Sequence, residues 1–349
     1  MSLILRGLSY LITPALLLLS CNSQAAPINL GVAQNYSGFF FADVSAASDI
    51  EGRLAIGGNL TNGFDIGYRN PVNSQLPSLV VGGDINIQHG TIYNGPQQQL
   101  DTNAGIGPAS AYWLEQNQVN YGTVYYGGNV TAHSWSNGNY LYQPDYIDFN
   151  AAYHYLSALS DTLINEQTNG QAEYKWSQWF LTGDGVSDLL VFDLGDINNI
   201  SNLVFSNIKQ GATIVINSHA SDITLAGYHG NNTAISDDIQ GQYRDRILFN
   251  FSQATQLQLN TFVNGSILAP NAAVTGTGHI EGTLIGQSLS ASANGSMLEI
   301  GYEPFSGNLP GNQTAASVTS PSSFALFTLG LLLPLWRTRR SKTAEPLQR

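Results

Sequence analysis

Only one cysteine, Cys21, occurs in a chain of 349 residues. It falls in the first stretch, so the sequence beyond it offers no thiol for a disulfide or a cysteine metal site. Stability there must come from packing and backbone hydrogen bonds. The six histidines are scattered, with no close pair at ligand spacing, which argues against zinc. Basic residues are also scarce. Between residues 27 and 316 only Arg53, Arg69, Lys175, Lys209, Arg244 and Arg246 face 23 acidic side chains, a net charge of about −17. Such a body repels phosphate backbones and anionic headgroups, so nucleic-acid binding is excluded. No apolar run reaches the roughly 20 residues that a membrane-spanning helix needs.

Two shorter apolar runs lie at the ends. Arg6 precedes an apolar stretch from Leu8 to Leu19, followed by small residues at Ser23-Gln24-Ala25-Ala26. This order describes a secretory signal peptide, residues 1–26, cut after Ala25 or Ala26. Leu18-Leu19-Ser20-Cys21 also resembles a bacterial lipobox, so lipidation at Cys21 stands as the alternative. Near the other end, Phe324 to Trp336 is apolar and is followed by Arg337, Arg339, Arg340 and Lys342. As a helix this run covers about 20 Å, short of a bilayer core of about 30 Å, and Pro334 weakens it further. The trailing positive charges would hold it at the cytoplasmic face. Residues 321–349, after a linker at 312–320, therefore read as a transient sorting or anchor segment. With Val318, Pro321, Ser322 and the arginines, it resembles the PEP-CTERM signals processed by exosortase-type enzymes of Gram-negative bacteria. Ser320 departs from that pattern, which usually has an acidic residue before the proline.

What the body has in abundance is glycine, 36 in the whole chain, placed between short apolar runs. RLAIGGNL (53–60), SLVVGGDI (78–85) and TVYYGGNV (123–130) repeat one phrase. GATIVIN (211–217), GSILAPNAAV (265–274) and GTLIGQSLSA (282–291) are looser counterparts, and Ile50-Glu51-Gly52 matches Ile280-Glu281-Gly282. Short aliphatic strands bounded by Gly, Asn, Asp and Ser, repeated in this way, predict a mainly β fold. The expected form is a right-handed, β-helix-like solenoid in which each coil pairs with the one before. Gly57-Gly58, Gly82-Gly83 and Gly127-Gly128 are then expected at tight corners with positive φ. A β-sandwich remains the alternative, because the repeat intervals are unequal. One helix is expected within 145–170, where Phe149, Ala152, Leu156, Leu159 and Leu163 share a face. Asp145 or Asp148 would cap it, Gly170 would stop it, and it would lie along the solenoid or close one end.

Residues 30–67, YYGGNVT, the helix, DRILFNF (245–251), residues 263–289 and GYEPFSGNLP (301–310) together resemble the bacterial choice-of-anchor A domain. The likeness covers nearly all of 27–311 and implies an exported, surface-held, adhesin-like protein with no reaction and no cofactor. The tail's own resemblance implies an exosortase-like sorting enzyme as a partner, and an extracellular polysaccharide or surface ligand is a further expected partner. The passage from Asn264 to Gly286 is similar in style to bacterial ice-binding proteins.

Several constellations could carry chemistry. Asp237-Asp238, with His229, Arg244 and Arg246 close in sequence, is the best candidate for a polysaccharide-cleaving pair of acids. Asp193 and Asp196 could hold Ca²⁺, but no ordered calcium motif is present and solvated turns are the preferred reading. The Tyr- and Asn-rich stretch 112–146 suits sugar recognition, with Trp113, Trp135 and Tyr140 as candidate ligand-binding aromatics. KWSQWF (175–180) reads as core or flank packing. Thr275, Thr277 and Thr283 suggest an ice-binding array, but matching threonines are not expected in the earlier phrases. The leading expectation is an adhesive protein of the cell surface or outer membrane, or one released outside the cell, and contacting glycans or biofilm matrix. A polysaccharide-active enzyme and an ice-binding protein are the alternatives.

Overall fold

The computed structural model describes residues 29–310, apart from 72–73, 96–120, 135, 199 and 231–238. Pro27–Gly311 form one compact unit. It is mainly β, with large parallel sheets, consistent with a β-solenoid-like fold. Ten strands pair in one long parallel array. In chain order they are β1 (Gly38–Phe40), β2 (Leu54–Ile56), β3 (Leu79–Val81), β4 (Thr123–Tyr126) and β5 (Asn139–Tyr142), then β6 (Leu189–Asp193), β7 (Thr213–Asn217), β8 (Ile247–Asn250), β9 (Ser266–Gly276) and β10 (Leu284–Leu289). Their order in space is β5-β4-β3-β2-β1-β10-β9-β8-β7-β6. The chain thus builds outward from the middle, crosses to the far end, and returns to close against its own first strand.

Strands also stack along two further sides. One stacks Val130–Ala132, Ile85–Ile87 and Leu60–Thr61, then Val44, then the ends of β10 and β9, then Gln256–Leu259 and Asp222–Leu225. The other runs Phe262–Asn264, His279–Glu281, Glu299–Ile300, Asp49–Ile50, Asp65–Ile66. Among the described residues, antiparallel pairing is confined to the hairpin Gln171–Lys175/Gln178–Thr182 and the bridge Tyr93–Tyr121. Two facing antiparallel layers, the sandwich alternative, are not what these pairings form.

The repeated phrase has a register explanation. Leu54, Leu79 and Val124 stack, as do Ile56, Val81 and Tyr126, so the aliphatic ladder is renewed on each circuit. The Gly-Gly pairs correct the expectation of positive φ: none of the six adopts it. Glycine is required there for want of space. A Cβ on Gly82 would stand 2.6 Å from the carbonyl oxygen of Gly57, and one on Gly127 would stand 2.3 Å from that of Gly82. The polar residue after each pair makes a second ladder. Asn59, Asp84 and Asn129 donate their backbone N–H in turn to the side-chain oxygens of Asp43, Asn59 and Asp84, at 2.7, 2.8 and 2.6 Å.

From β3 through β1 to β7 the array is largely buried on both faces, which is why these strands read as apolar. One face turns into the main core, with Leu54, Leu79, Ile214, Phe249 and Ile267. The other receives helix α1 (Phe149–Ile164). Asp148 caps α1, accepting from the N–H of Ala151 at 2.9 Å, while Ala152, Leu156, Leu159 and Leu163 are buried as their spacing predicts. Its first residue touches Phe39 of β1, and Leu163 reaches Asn217 of β7. Fourteen residues at about 1.5 Å cover about 21 Å, matching four strand spacings of about 4.8 Å. The helix therefore lies along the array. It ends at Ile164, capped by Asn165, earlier than Gly170. Gly170 instead sits where a Cβ would meet the Phe192 ring at 2.2 Å.

Candidate functional site

On the side that begins at Val130–Ala132, inward residues such as Ile85, Leu60 and Val44 fix which residues point out. Strand register then lines up Thr131, Asn86 and Thr61, and on the other half Thr224, Gln258 and Thr275. Ser45 and Ser290 fall between, each one residue after a paired core position, Val44 and Leu289. The result is a continuous outward row of hydroxyl and amide side chains, all exposed or half-buried. Neighbouring rungs are about 4.8 Å apart. Beside it runs a second row, including Asn129, Asp84, Asn59 and Asp43 and, beyond the middle, Ser288, Ala273, Gln256 and Asp222. No bulky apolar side chain interrupts either row.

A cluster of ionised groups occupies the opposite corner. The two Ile-Glu-Gly repeats place Glu51 and Glu281 on either side of Glu299–Ile300, and Arg69 pairs with both, 3.2 Å from Glu281. Both glutamates are buried. His279 stacks on Phe262 at 4.6 Å, with Glu281 at 3.3 Å and Glu299 at 3.0 Å on its two nitrogens. Burial alone would lower its pKa, but these two carboxylates outweigh burial and raise it to about 9. Burial, then the charge of Glu299, raises Asp49 to about 7. Burial raises Glu51 despite Arg69. Burial also pushes Glu281 upward, but His279 and Arg69 hold it below the ordinary value. Glu51 and Glu281 are enclosed and paired with Arg69, and Glu299 is paired with His279, so the cluster is a joint where the chain's first and last circuits meet, rather than a reaction centre.

A family model described as "Putative Ice-binding-like adhesive domain" matches residues 29–298. The chain belongs to this family. Among solved structures, this adhesive domain is similar to an ice-binding protein from the Antarctic ascomycete Antarctomyces psychrotrophicus, at 13% identity, covering 80% of this chain and 98% of that one, with a TM-score of 0.25. No curated protein matches the chain.

The sequence-derived site residues of the adhesive domain fare unevenly. Trp113 and Trp135 lie outside the described residues, as do Asp237 and Asp238, the terminal positions Cys21, Ala25 and Ala26, and Pro321, Arg337, Arg339 and Arg340. Tyr140 is half-buried: its ring packs against the core and its hydroxyl is enclosed. His229 is fully buried beside Phe249, and burial lowers its pKa to about 4; its Nε2 contacts the Ala226 carbonyl at 2.7 Å. Arg244 pairs with Glu303, and Arg246 donates to the Gly211 carbonyl at 3.1 Å. The described members of the supposed catalytic set therefore do not converge. Asp193 and Asp196 accept backbone N–H bonds from Gly195 and Asn198, at 2.9 and 2.8 Å, which is turn formation. Among the described residues no group of three or more His, Cys, Asp or Glu is placed to hold a metal ion.

The threonines need the largest revision. Thr275 is on the outward row and Thr277 is exposed just beyond it, but Thr283 is fully buried. The earlier phrases do carry matching threonines. Thr61 and Thr131 directly follow Asn59-Leu60 and Asn129-Val130, one residue past the quoted repeat. That adjacency was the available signal. Thr224 had none, because its circuit lacks the Gly-Gly phrase.

Proposed function

We propose that this protein is an exported, non-enzymatic adhesive module that contacts glycans or biofilm matrix through the outward hydroxyl and amide row. On this reading the body is a β-solenoid of the choice-of-anchor A kind, exported by residues 1–26. Its C-terminal segment is handled by an exosortase-like enzyme that reads Pro321 and the arginines, leaving the domain on the cell surface or outside the cell. The row itself carries the proposal: Thr61, Asn86 and Thr131 on one half and Thr224, Gln258 and Thr275 on the other share a single register. A repeating line of donors and acceptors on a rigid sheet suits a repeating hydroxylated polymer, because little side-chain entropy is lost on contact. Family membership supports adhesion over a reaction. The test is attachment of the mature protein to polysaccharide-coated surfaces. Thr61→Lys with Thr275→Lys should reduce attachment at least about tenfold, or about 1.4 kcal/mol, with the melting temperature preserved. Unchanged attachment would sink the reading.

A second reading, ice binding, is favoured by threonine at four positions of the same row. The carboxylates of Asp43, Asp84 and Asp222 in the adjacent row weigh against it, since they interrupt a uniform hydroxyl array. Inhibition of ice recrystallisation by the purified protein, lost in the same double variant, would decide for ice. Mass spectrometry of both mature termini tests the export and sorting steps.

A further inference from the structure

At the β6 end of the long array, the hairpin Gln171–Lys175/Gln178–Thr182 projects a tryptophan that the core does not use. Trp176 is 81% exposed. Lys175 pairs with Gln178, so Trp176 and Ser177 form a two-residue turn, and both have positive φ, 51° and 59°. Turns of this kind favour Asn-Gly, because a bulky residue is strained in the left-handed region. Trp176 thus combines an unfavourable backbone with a large apolar ring held mostly in water. Strain of this kind points to use.

The surroundings fit one kind of ligand. Ser201 donates to the Ser177 carbonyl through its backbone N–H at 2.6 Å and its hydroxyl at 2.9 Å, which fixes the turn to the neighbouring strand. Phe180 lies on the same side, its ring 6.1 Å from that of Trp176 and nearly perpendicular, and Gln178 stands beside them at half exposure. A rigid indole backed by a second ring, with an amide at its edge, stacks on the C–H face of a sugar and hydrogen-bonds its hydroxyls. The body's net charge of about −17 disfavours polyanions and anionic lipid surfaces.

We infer that Trp176, backed by Phe180, is a stacking site for a neutral saccharide, separate from the outward hydroxyl row. This deepens the adhesive reading and rests on it. The experiment uses the mature chain and Trp176→Asn, which suits the turn and removes the ring, with Trp176→Phe as the conservative variant. Probes are a mixed-linkage β-glucan, galactomannan, arabinoxylan and chitin oligosaccharides, with alginate and phosphatidylcholine vesicles as contrasts. At least one neutral glycan should blue-shift the tryptophan emission and bind at least about tenfold more weakly to Trp176→Asn, with Trp176→Phe intermediate. Trp176→Asn should melt no lower than the wild type. Equal binding by wild type and Trp176→Asn, no neutral glycan bound, or a blue shift caused only by alginate or vesicles would each overturn the inference. If Thr61→Lys with Thr275→Lys abolishes surface attachment while Trp176→Asn does not alter glycan binding, this inference fails and the adhesive reading stands. If the wild type attaches to no coated surface, the adhesive reading itself fails.

Discussion

Along the outer face of the long array, the seven strands from β5 to β9 and the three from β8 to β6 solve the same problem with opposite polarity. On the outer face, one row reads Leu141, Tyr125, Val80, Ala55, Phe39, Ile285 and Leu268, then becomes Asn250, Asn217 and Asp193. The row beside it changes in the reverse sense: Ser78, Arg53, Ser37, Thr283 and Ser266 give way to Leu248, Val215 and Val191. What lies against each set accounts for the exchange. The last turn of α1 leaves carbonyls without helical partners. Asn217 donates to the Leu163 carbonyl at 2.7 Å, and Asn250 donates to the Ser160 carbonyl at 2.9 Å and to Asn217 at 2.8 Å. In the half that α1 does not reach, the apolar row loses cover toward its end, from buried Ala55 and Val80 to Leu141 at 53% exposed. A strand's alternation records what covers it, not only that it is a strand.

The joint where the chain's first and last circuits meet is the largest lever on the array that carries this comparison. Arg69→Ala would leave Glu51 and Glu281 buried without their shared cation. A loss of about 3–5 kcal/mol is expected, read by chemical denaturation. A loss below about 1 kcal/mol would mean that these circuits are held together elsewhere. If these circuits are otherwise independent, the variant should also unfold in two steps where the wild type shows one.

Next come the ladders peculiar to each half. Gly82→Ala places a Cβ against the Gly57 carbonyl, a backbone atom held in the sheet, and should cost about 1–3 kcal/mol. Gly195→Ala is the control: its Cβ would meet nothing within 4 Å, and only its φ of 65° opposes the change. That control should cost about 1 kcal/mol. A loss at Gly82 no larger than at Gly195 would show that the backbone shifts to admit the Cβ and that space is not what keeps the glycine pairs. In the other half, Asn250→Ala strips the partner from the Ser160 hydroxyl, which donates to Asn250 at 2.5 Å, and from the Asn217 side chain. About 1–3 kcal/mol is expected, since the orphaned groups are buried. Near-neutrality would detach the helix end from the asparagines.

Much of this architecture was legible in the sequence, for definable reasons. The phrase around Gly57, Gly82 and Gly127 announced stacked circuits because each must fit the same space. The 3- and 4-residue spacing from Ala152 to Leu163 announced a helix with one buried face. The order of strands was not legible: nothing in Gly38–Phe40 says that its second neighbour is Leu284–Leu289, a pairing made only when the chain returns. The outward row was missed for the same reason. Thr61 and Thr224 become members of one row through register, and register between distant circuits leaves little local trace. Trp176 was read as packing because tryptophan usually is buried, and an exposed turn tip gives no pattern of its own.

Raising the pH is the gentlest way to loosen the joint. His279 titrates at about 9 in the fold against 6.5 when free, because Glu281 and Glu299 hold its charged form. A raised folded pKa means that the native state keeps a proton which the unfolded chain releases. The stabilisation is therefore complete below about pH 6.5 and is lost as pH rises through about 9. Asp49, raised to about 7, acts in the same direction between about pH 4 and 7, because the unfolded chain ionises it first. Glu281 and Glu299, both lowered, act oppositely and only in the acid range. From pH 7 to 9 the histidine dominates this set, so the melting temperature should fall across that window. His279→Gln should melt lower at pH 7 and show a flatter profile to pH 9. A wild-type profile already flat there, or a slope unchanged by the substitution, would remove His279 from the joint and leave Arg69 as the cation between Glu51 and Glu281.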